Sequence, residues 1–210
     1  MMINDKNINL LIFGDSITFG FLLDTPNDTF HQVMKRKYNI KNVTNFGSNG
    51  SKLTKSKILN TIEPFMDFDF NMRSKDLPKD IDVMIIFGGT NDFEAGREIG
   101  TISSSDVYEF YGAYNTLINN LKLKYPSMEL ILMTPLKRWD GDKPNAIGYK
   151  IIDYANAIIN IGKVHNLKVI DAYHEFDIDP HDTSILLDGL HPSKYGHQLL
   201  GEYLGKKLFE

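Results

Sequence analysis

The run Val83-Met84-Ile85-Ile86-Phe87, followed at once by Gly88-Gly89-Thr90-Asn91-Asp92, decides the fold class. Five apolar residues without alternation fit a strand buried on both faces. Such a strand needs helices covering both sides of its sheet. The glycines and small polar residues behind it read as a turn at the strand's carboxyl end. Working outward, short β-branched runs at residues 8–13, 42–46, 129–133 and 168–171 join the one at 82–87 as predicted strands.

Helical periodicity falls between and after these strands. Val107, Phe110, Tyr111, Tyr114, Leu117, Ile118, Leu121 and Tyr125 share one face, with Asp106 and Glu109 spaced as a capping box at the start. Ile147, Ile151, Tyr154, Ala155, Ile158 and Gly162 carry a second helix. A third opens at Ser193 and carries Leu199, Leu200, Tyr203, Leu204 and Leu208. A helix beginning near Thr29 ends in Lys35-Arg36-Lys37, a run suited to a solvated helix C-terminus. Glu63-Pro64 and the stretch 65–70 suggest a short helix followed by a loop. Alternating strands and helices imply a parallel sheet with helices on both faces. No repeat or linker interrupts residues 1–210, which read as one domain.

Composition narrows the function classes. Hydrophobic residues make up 42% and charged residues 24%, which excludes a disordered chain. The formal net charge of -4 argues against a nucleic-acid partner. With no cysteine, disulfides, thiolate catalysis and cysteine-ligated zinc are excluded. Asp5 and Lys6 precede a short apolar run ending in Gly-Asp, so no signal peptide is expected. No run approaches the ~20 apolar residues of a membrane helix. These features lead to the expectation of a cytoplasmic protein; oligomeric state is open.

In a parallel α/β sheet the site lies beyond the carboxyl ends of the strands. Ser16 follows the first strand there, at the start of a helix whose N–H groups could serve an oxyanion. Its alternative role is an N-cap. A serine nucleophile needs a base. Asp188-Gly189-Leu190-His191 supplies one, because the aspartate can reach Nδ1 of the imidazole and leave Nε2 for the serine proton. Taken alone, the pair also fits a hydrogen-bonded surface histidine. Asp177, Asp179, His181 and Asp182 match no metal-ligand spacing and read as a polar loop. Asn91, with a short amide, and Gly47, with no Cβ, are candidate oxyanion donors beside the Ser16 N–H. Their alternatives are an Asx-turn and an ordinary turn glycine.

Together, Gly14-Asp15-Ser16, Asn45-Phe46-Gly47-Ser48-Asn49-Gly50, Gly89-Thr90-Asn91-Asp92 and Asp188-Gly189-Leu190-His191-Pro192 resemble the four blocks of the GDSL/SGNH hydrolases, in the family's order. The first block reads Gly-Asp-Ser-Ile rather than Gly-Asp-Ser-Leu. The resemblance implies a three-layer α/β/α sandwich with a five-stranded parallel sheet, of flavodoxin-like architecture. It implies Ser16 as nucleophile, His191 as base and Asp188 as its orienter. The Ser16 N–H, the Gly47 N–H and the Asn91 amide form the implied oxyanion hole.

The expected chemistry is two-step acyl transfer needing no metal or organic cofactor. Its substrate is a small-molecule or carbohydrate ester, as for a short-chain esterase or O-deacetylase. Trp139, just beyond the fourth strand, could stack on a sugar ring, Arg138 adds a planar donor array for a carboxylate or phosphate, and Phe93 is expected on the opposite rim. Trp139 could equally pack a loop against the domain. Alternatives are a lysophospholipase- or thioesterase-type lipid hydrolase and a non-catalytic binding module. A flavin or nucleotide binder on the same architecture would leave Asp188 and His191 without a role.

Overall fold

Successive residues of the first strand point alternately into two separate helical layers, and this alternation organises the molecule. The computed structural model describes residues 7–56 and 68–210. Asp5, Lys6 and the Glu63-Pro64 segment lie outside the described residues. The strands are β1 (Asn9–Gly14), β2 (Asn42–Gly47), β3 (Val83–Phe87), β4 (Glu129–Met133) and β5 (Lys168–Ile170). The helices are α1 (Ser16–Phe19), α2 (Phe30–Tyr38), α3 (Phe70–Arg73), α4 (Thr90–Glu94), α5 (Phe110–Lys124), α6 (Ile151–His165), α7 (Ala172–Glu175) and α8 (Lys194–Phe209).

The sheet is wholly parallel, in the order β2-β1-β3-β4-β5. Leu11, Phe13, Met84, Ile86, Leu130 and Leu132 pack against Phe110, Tyr114, Leu117, Tyr154 and Ile158 of α5 and α6. Leu10, Ile12, Val83, Ile85, Ile131 and Met133 pack against Phe30, Met34, Leu200, Leu204 and Leu208 of α2 and α8. This is the expected three-layer sandwich. Each such buried side chain contributes about 1.5–3 kcal/mol relative to exposure. The uninterrupted apolar sequence of β1 and β3 follows from their having a core on each face.

Two helix starts differ from expectation. α5 begins at Phe110, and the Asp106–Glu109 capping box does not form. The Phe110 and Tyr111 N–H groups instead donate to Glu98 and Ile99 carbonyls, so tertiary partners serve the first turn. α6 begins at Ile151 rather than Ile147. Asn145 Oδ1 accepts the Ile147 and Tyr149 N–H groups, which folds 145–149 into a turn with Gly148 at φ +94°. Among the described residues no helix is long and apolar enough to cross a membrane.

The ladders place Gly14 of β1 level with Gly47 of β2 and Phe87 of β3. The three carboxyl ends therefore lie side by side at one edge of the sheet. The chain passes outward from β1 to β2 and then back across to β3, which makes the β1/β3 boundary the switch point where such sheets bind ligands.

Candidate active site

Ser16 stands at that switch point. Asp15, not Ser16, is the N-cap of α1: its Oδ1 accepts the Ile17 N–H at 3.0 Å. Ser16 is thereby the first helical residue, and its own N–H has no carbonyl one turn back to bond. Burial pushes the Asp15 carboxyl up to about 7, although the Ile17 N–H and the nearby Arg73 cation pull it down.

The loop before α8 brings His191 to Ser16. Ser193 caps α8 by accepting the Gly196 N–H at 3.0 Å, and Pro192 precedes it. His191 Nε2 lies 2.9 Å from Ser16 Oγ, and His191 Nδ1 lies 2.7 Å from Asp188 Oδ2. The other Asp188 oxygen accepts the Leu190 and His191 backbone N–H groups at 3.1 and 2.7 Å. Partial burial raises the Asp188 carboxyl, but these N–H groups and the imidazole outweigh it and hold the group below its ordinary value. The aspartate thus stays ionised, and with Nδ1 as its donor the imidazole turns a free Nε2 lone pair toward the serine. The Phe21 ring packs on the imidazole with centroids 4.9 Å apart.

The donors around Ser16 differ in part from expectation. Asn91 Nδ2 donates to the Ser51 carbonyl at 3.0 Å, which orients the amide and leaves its second N–H. Its neighbour Asp92 is fully buried and accepts from Leu53 N, Thr54 N and Thr54 Oγ1, locking the loop after β2 to α4. The Gly47 N–H, by contrast, is taken by Asn45 Oδ1 at 2.9 Å. Gly47 serves close packing instead, since a Cβ there would fall 2.2 Å from the Phe19 nitrogen. Three residues on, Gly50 adopts φ +70°, and its N–H has no acceptor among the described residues. The block holds two glycines, and its sequence does not say which N–H the fold leaves available.

Of the rim residues, Arg138 and Phe93 are withdrawn from solvent. Arg138 is 6% exposed; it pairs with Glu94 and Asp140 at 2.5 Å each and lies over the Phe93 ring at 5.0 Å. Its donors are consumed, so it ties the loop after β4 to α4. Trp139 is 48% exposed. Its backbone N–H bonds the Gly189 carbonyl at 2.9 Å, and a Cβ on Gly189 (φ +77°) would fall 2.6 Å from the Trp139 side chain. The indole therefore lies directly against the Asp188–His191 turn. Beside it opens a pocket of about 400 Å³ lined by Phe93, Glu94, Trp139, Asp140, Lys143 and Asn145. The Lys143 ammonium sits 5.0 Å from the indole centroid. Elsewhere, Asp179 and Asp182 accept the His181 and Ser184 N–H groups as loop-closing turns.

The model of the GDSL-like lipase/acylhydrolase family matches residues 12–199. A human relative, isoamyl acetate-hydrolyzing esterase 1 homolog, is 28% identical over 207 residues, covering 93% of this chain and 79% of the relative. The lipase/acylhydrolase from Enterococcus faecalis superposes with a TM-score of 0.65 at 25% identity, covering 95% of this chain and 94% of its own. An acetyl xylan esterase shares the fold with a TM-score of 0.69 at 20% identity, over 96% of this chain and 100% of its own. The four blocks, the parallel sheet and the matched span agree: this chain belongs to the GDSL-like lipase/acylhydrolase family and is an ester-hydrolysing enzyme.

Proposed function

We propose that this hydrolase cleaves short-chain carboxylic esters through a covalent acyl-enzyme on Ser16. The observation that carries the reading is the hydrogen-bonded chain from Ser16 Oγ through His191 to Asp188 at the sheet's switch point. Ser16 Oγ attacks the carbonyl carbon while His191 Nε2 takes its proton. The tetrahedral oxyanion is held by the Ser16 N–H, the Asn91 amide and the Gly50 N–H, with Gly50 replacing Gly47 as the backbone donor. His191 returns the proton to the departing alcohol. Water then attacks the acyl-enzyme, giving its proton to His191, and the acid leaves as Ser16 recovers its hydrogen. Asp188 stabilises the imidazolium formed in each half.

The preferred substrate is an acetyl-type ester whose alcohol half is polar, such as an acetylated sugar. The exposed indole of Trp139 beside the pocket next to the Asp188–His191 turn supports this, because an aromatic face among polar groups suits a sugar ring. The human relative's name specifies an acetate ester, which supports a small acyl group.

A second reading, a lipid acyl hydrolase, is favoured by one observation. Phe19, Phe21 and Leu22 are exposed in and just after α1, with the Phe21 ring against the His191 imidazole, and could receive an alkyl chain. A panel of p-nitrophenyl esters from acetyl to palmitoyl, run with acetylated xylan and an acyl thioester, separates the two. Highest kcat/KM on acetyl groups supports the first reading. A steady rise toward decanoyl overturns it in favour of the second.

A further inference from the structure

Arg73 lies outside all four family-like blocks, yet its guanidinium reaches the ends of two strands and the turn beyond. Nη1 donates to the Gly14 carbonyl at 2.9 Å and to Ser51 Oγ at 2.9 Å, while Nη2 donates to the Phe46 carbonyl. These three hydrogen bonds all go to uncharged oxygens. The rings of Phe13, Phe46 and Phe70 surround the cation at 4.9, 5.4 and 5.3 Å from the guanidinium carbon. Asp69 caps α3 by accepting the Met72 N–H at 2.8 Å, which fixes the turn from which Arg73 projects.

Each acceptor adjoins one proposed oxyanion donor. Gly14 closes β1 two positions before Ser16. Phe46 and Ser51 flank the turn that carries Gly50, and the Ser51 carbonyl is the acceptor that orients Asn91. The Gly14 carbonyl also accepts the Ser48 N–H at 3.1 Å, so the guanidinium adds to the ladder a second tie that spans both strand ends and reaches on to the Ser51 hydroxyl. A planar fork can bond several such acceptors at fixed spacing, which a single ammonium cannot.

We propose that Arg73 is the positioning residue of the oxyanion-binding site, its guanidinium setting the spacing of the Ser16, Gly50 and Asn91 donors by tying together the segments that carry them. The proposal rests on the reading of Ser16 as nucleophile. Burial lowers the Arg73 pKa to about 10, against the pull of Asp15, so the group stays charged at neutral pH. Arg73 touches no reacting atom. Its effect falls on the transition state, whose oxyanion is the group that the three donors bind.

The test compares wild type, Arg73→Lys and Arg73→Ala on p-nitrophenyl acetate and on an alkyl trifluoromethyl ketone, which forms an oxyanion adduct with a serine nucleophile. The expected result is a ~10²-fold fall in kcat with KM little changed, the scale for misplaced catalytic groups. Ketone affinity should fall in parallel with kcat/KM. Millimolar guanidinium should restore part of the activity of Arg73→Ala. Near-wild-type kcat in a folded Arg73→Lys, or unaltered ketone affinity, overturns the proposal. Loss of the fold in both variants, read by circular dichroism and melting, also overturns it by making Arg73 a purely structural residue. Ser16→Ala is run beside them. Activity surviving there overturns the site reading itself, whereas an inactive Ser16→Ala beside a fully active Arg73→Lys overturns only the role of Arg73.

Discussion

His191 Nε2 lies 2.9 Å from the Ser16 hydroxyl, although 175 positions of chain separate the two residues. One comes from the end of β1 and the other from the loop before α8, and both are set by helix caps, Asp15 and Ser193. The caps make the meeting point rigid. Ser16→Ala should therefore abolish ester hydrolysis while leaving the melting temperature nearly unchanged, because it deletes one oxygen and no core packing. A fluorophosphonate probe should label the wild type at Ser16 and spare the variant. Labelling at another serine would contradict the assignment.

Asp188 accepts three hydrogen bonds within its own turn. Asp188→Asn should keep much of the turn but turn an amide N–H toward Nδ1 or force the opposite tautomer, which takes the base away from Ser16. The expected loss is about 10²–10⁴ in kcat, large because the wrong tautomer cannot accept the proton. Asn91→Ala should cost about 10²–10³, the scale for one oxyanion donor. Steady-state kinetics with circular dichroism checks both. Wild-type kcat in either folded variant would remove that residue from the mechanism.

Arg138 and Trp139 are neighbours with different expected effects. Arg138→Ala breaks a buried cation's pairs with Glu94 and Asp140. It should lower stability by about 2–3 kcal/mol, less than a wholly buried pair because Glu94 faces solvent. Trp139→Ala should scarcely move the melting temperature but should raise KM for acetylated sugars relative to p-nitrophenyl acetate. An unchanged ratio of the two KM values would sink the stacking role of Trp139.

Two histidines outside the site make stability depend on pH. Burial lowers the His31 pKa to about 4 and, with the nearby His31 and His191, lowers that of His197 to about 3. The unfolded chain takes up these protons below about 6.5, whereas the native state refuses them until about 4 and 3. Their contribution to stability is thus whole above that range and is lost as pH falls from 6.5 toward 3. Asp15 acts in the opposite sense: raised to about 7, it disfavours the native state most above pH 7, and that cost shrinks on acidification toward its ordinary value. The variant His197→Asn keeps an acceptor for the Phe30 N–H, which His197 Nδ1 meets at 3.1 Å. Its melting temperature should fall less steeply than that of wild type between pH 6.5 and 4. Parallel curves for the two proteins would refute the assignment.

By itself the sequence determined the sheet, whose strands are written in local signals, and the four blocks taken together pointed to the ester chemistry and to Ser16, Asp188 and His191, each of which alone has an ordinary structural reading. The unbroken apolar run of β3 demands two covered faces, and a serine, glycine or amide directly after a strand is placed by that strand's end. Local signals fail where a backbone group has competing partners. Asp106 and Glu109 spell a capping box, but the Asp106 N–H goes to Ser104 Oγ and the helix opens only at Phe110, whose N–H and that of Tyr111 go to the Glu98 and Ile99 carbonyls. Gly47 and Gly50 look alike in the chain, and only the fold shows Asn45 consuming the N–H of the former. Arg138 looks like a rim cation until Glu94 and Asp140 close around it. Arg73 has no signature at all, since its acceptors are two strand-end carbonyls and a hydroxyl. Long-range hydrogen bonds of this kind depend on which strand ends lie level and which loops face one another. Only the tertiary structure decides that.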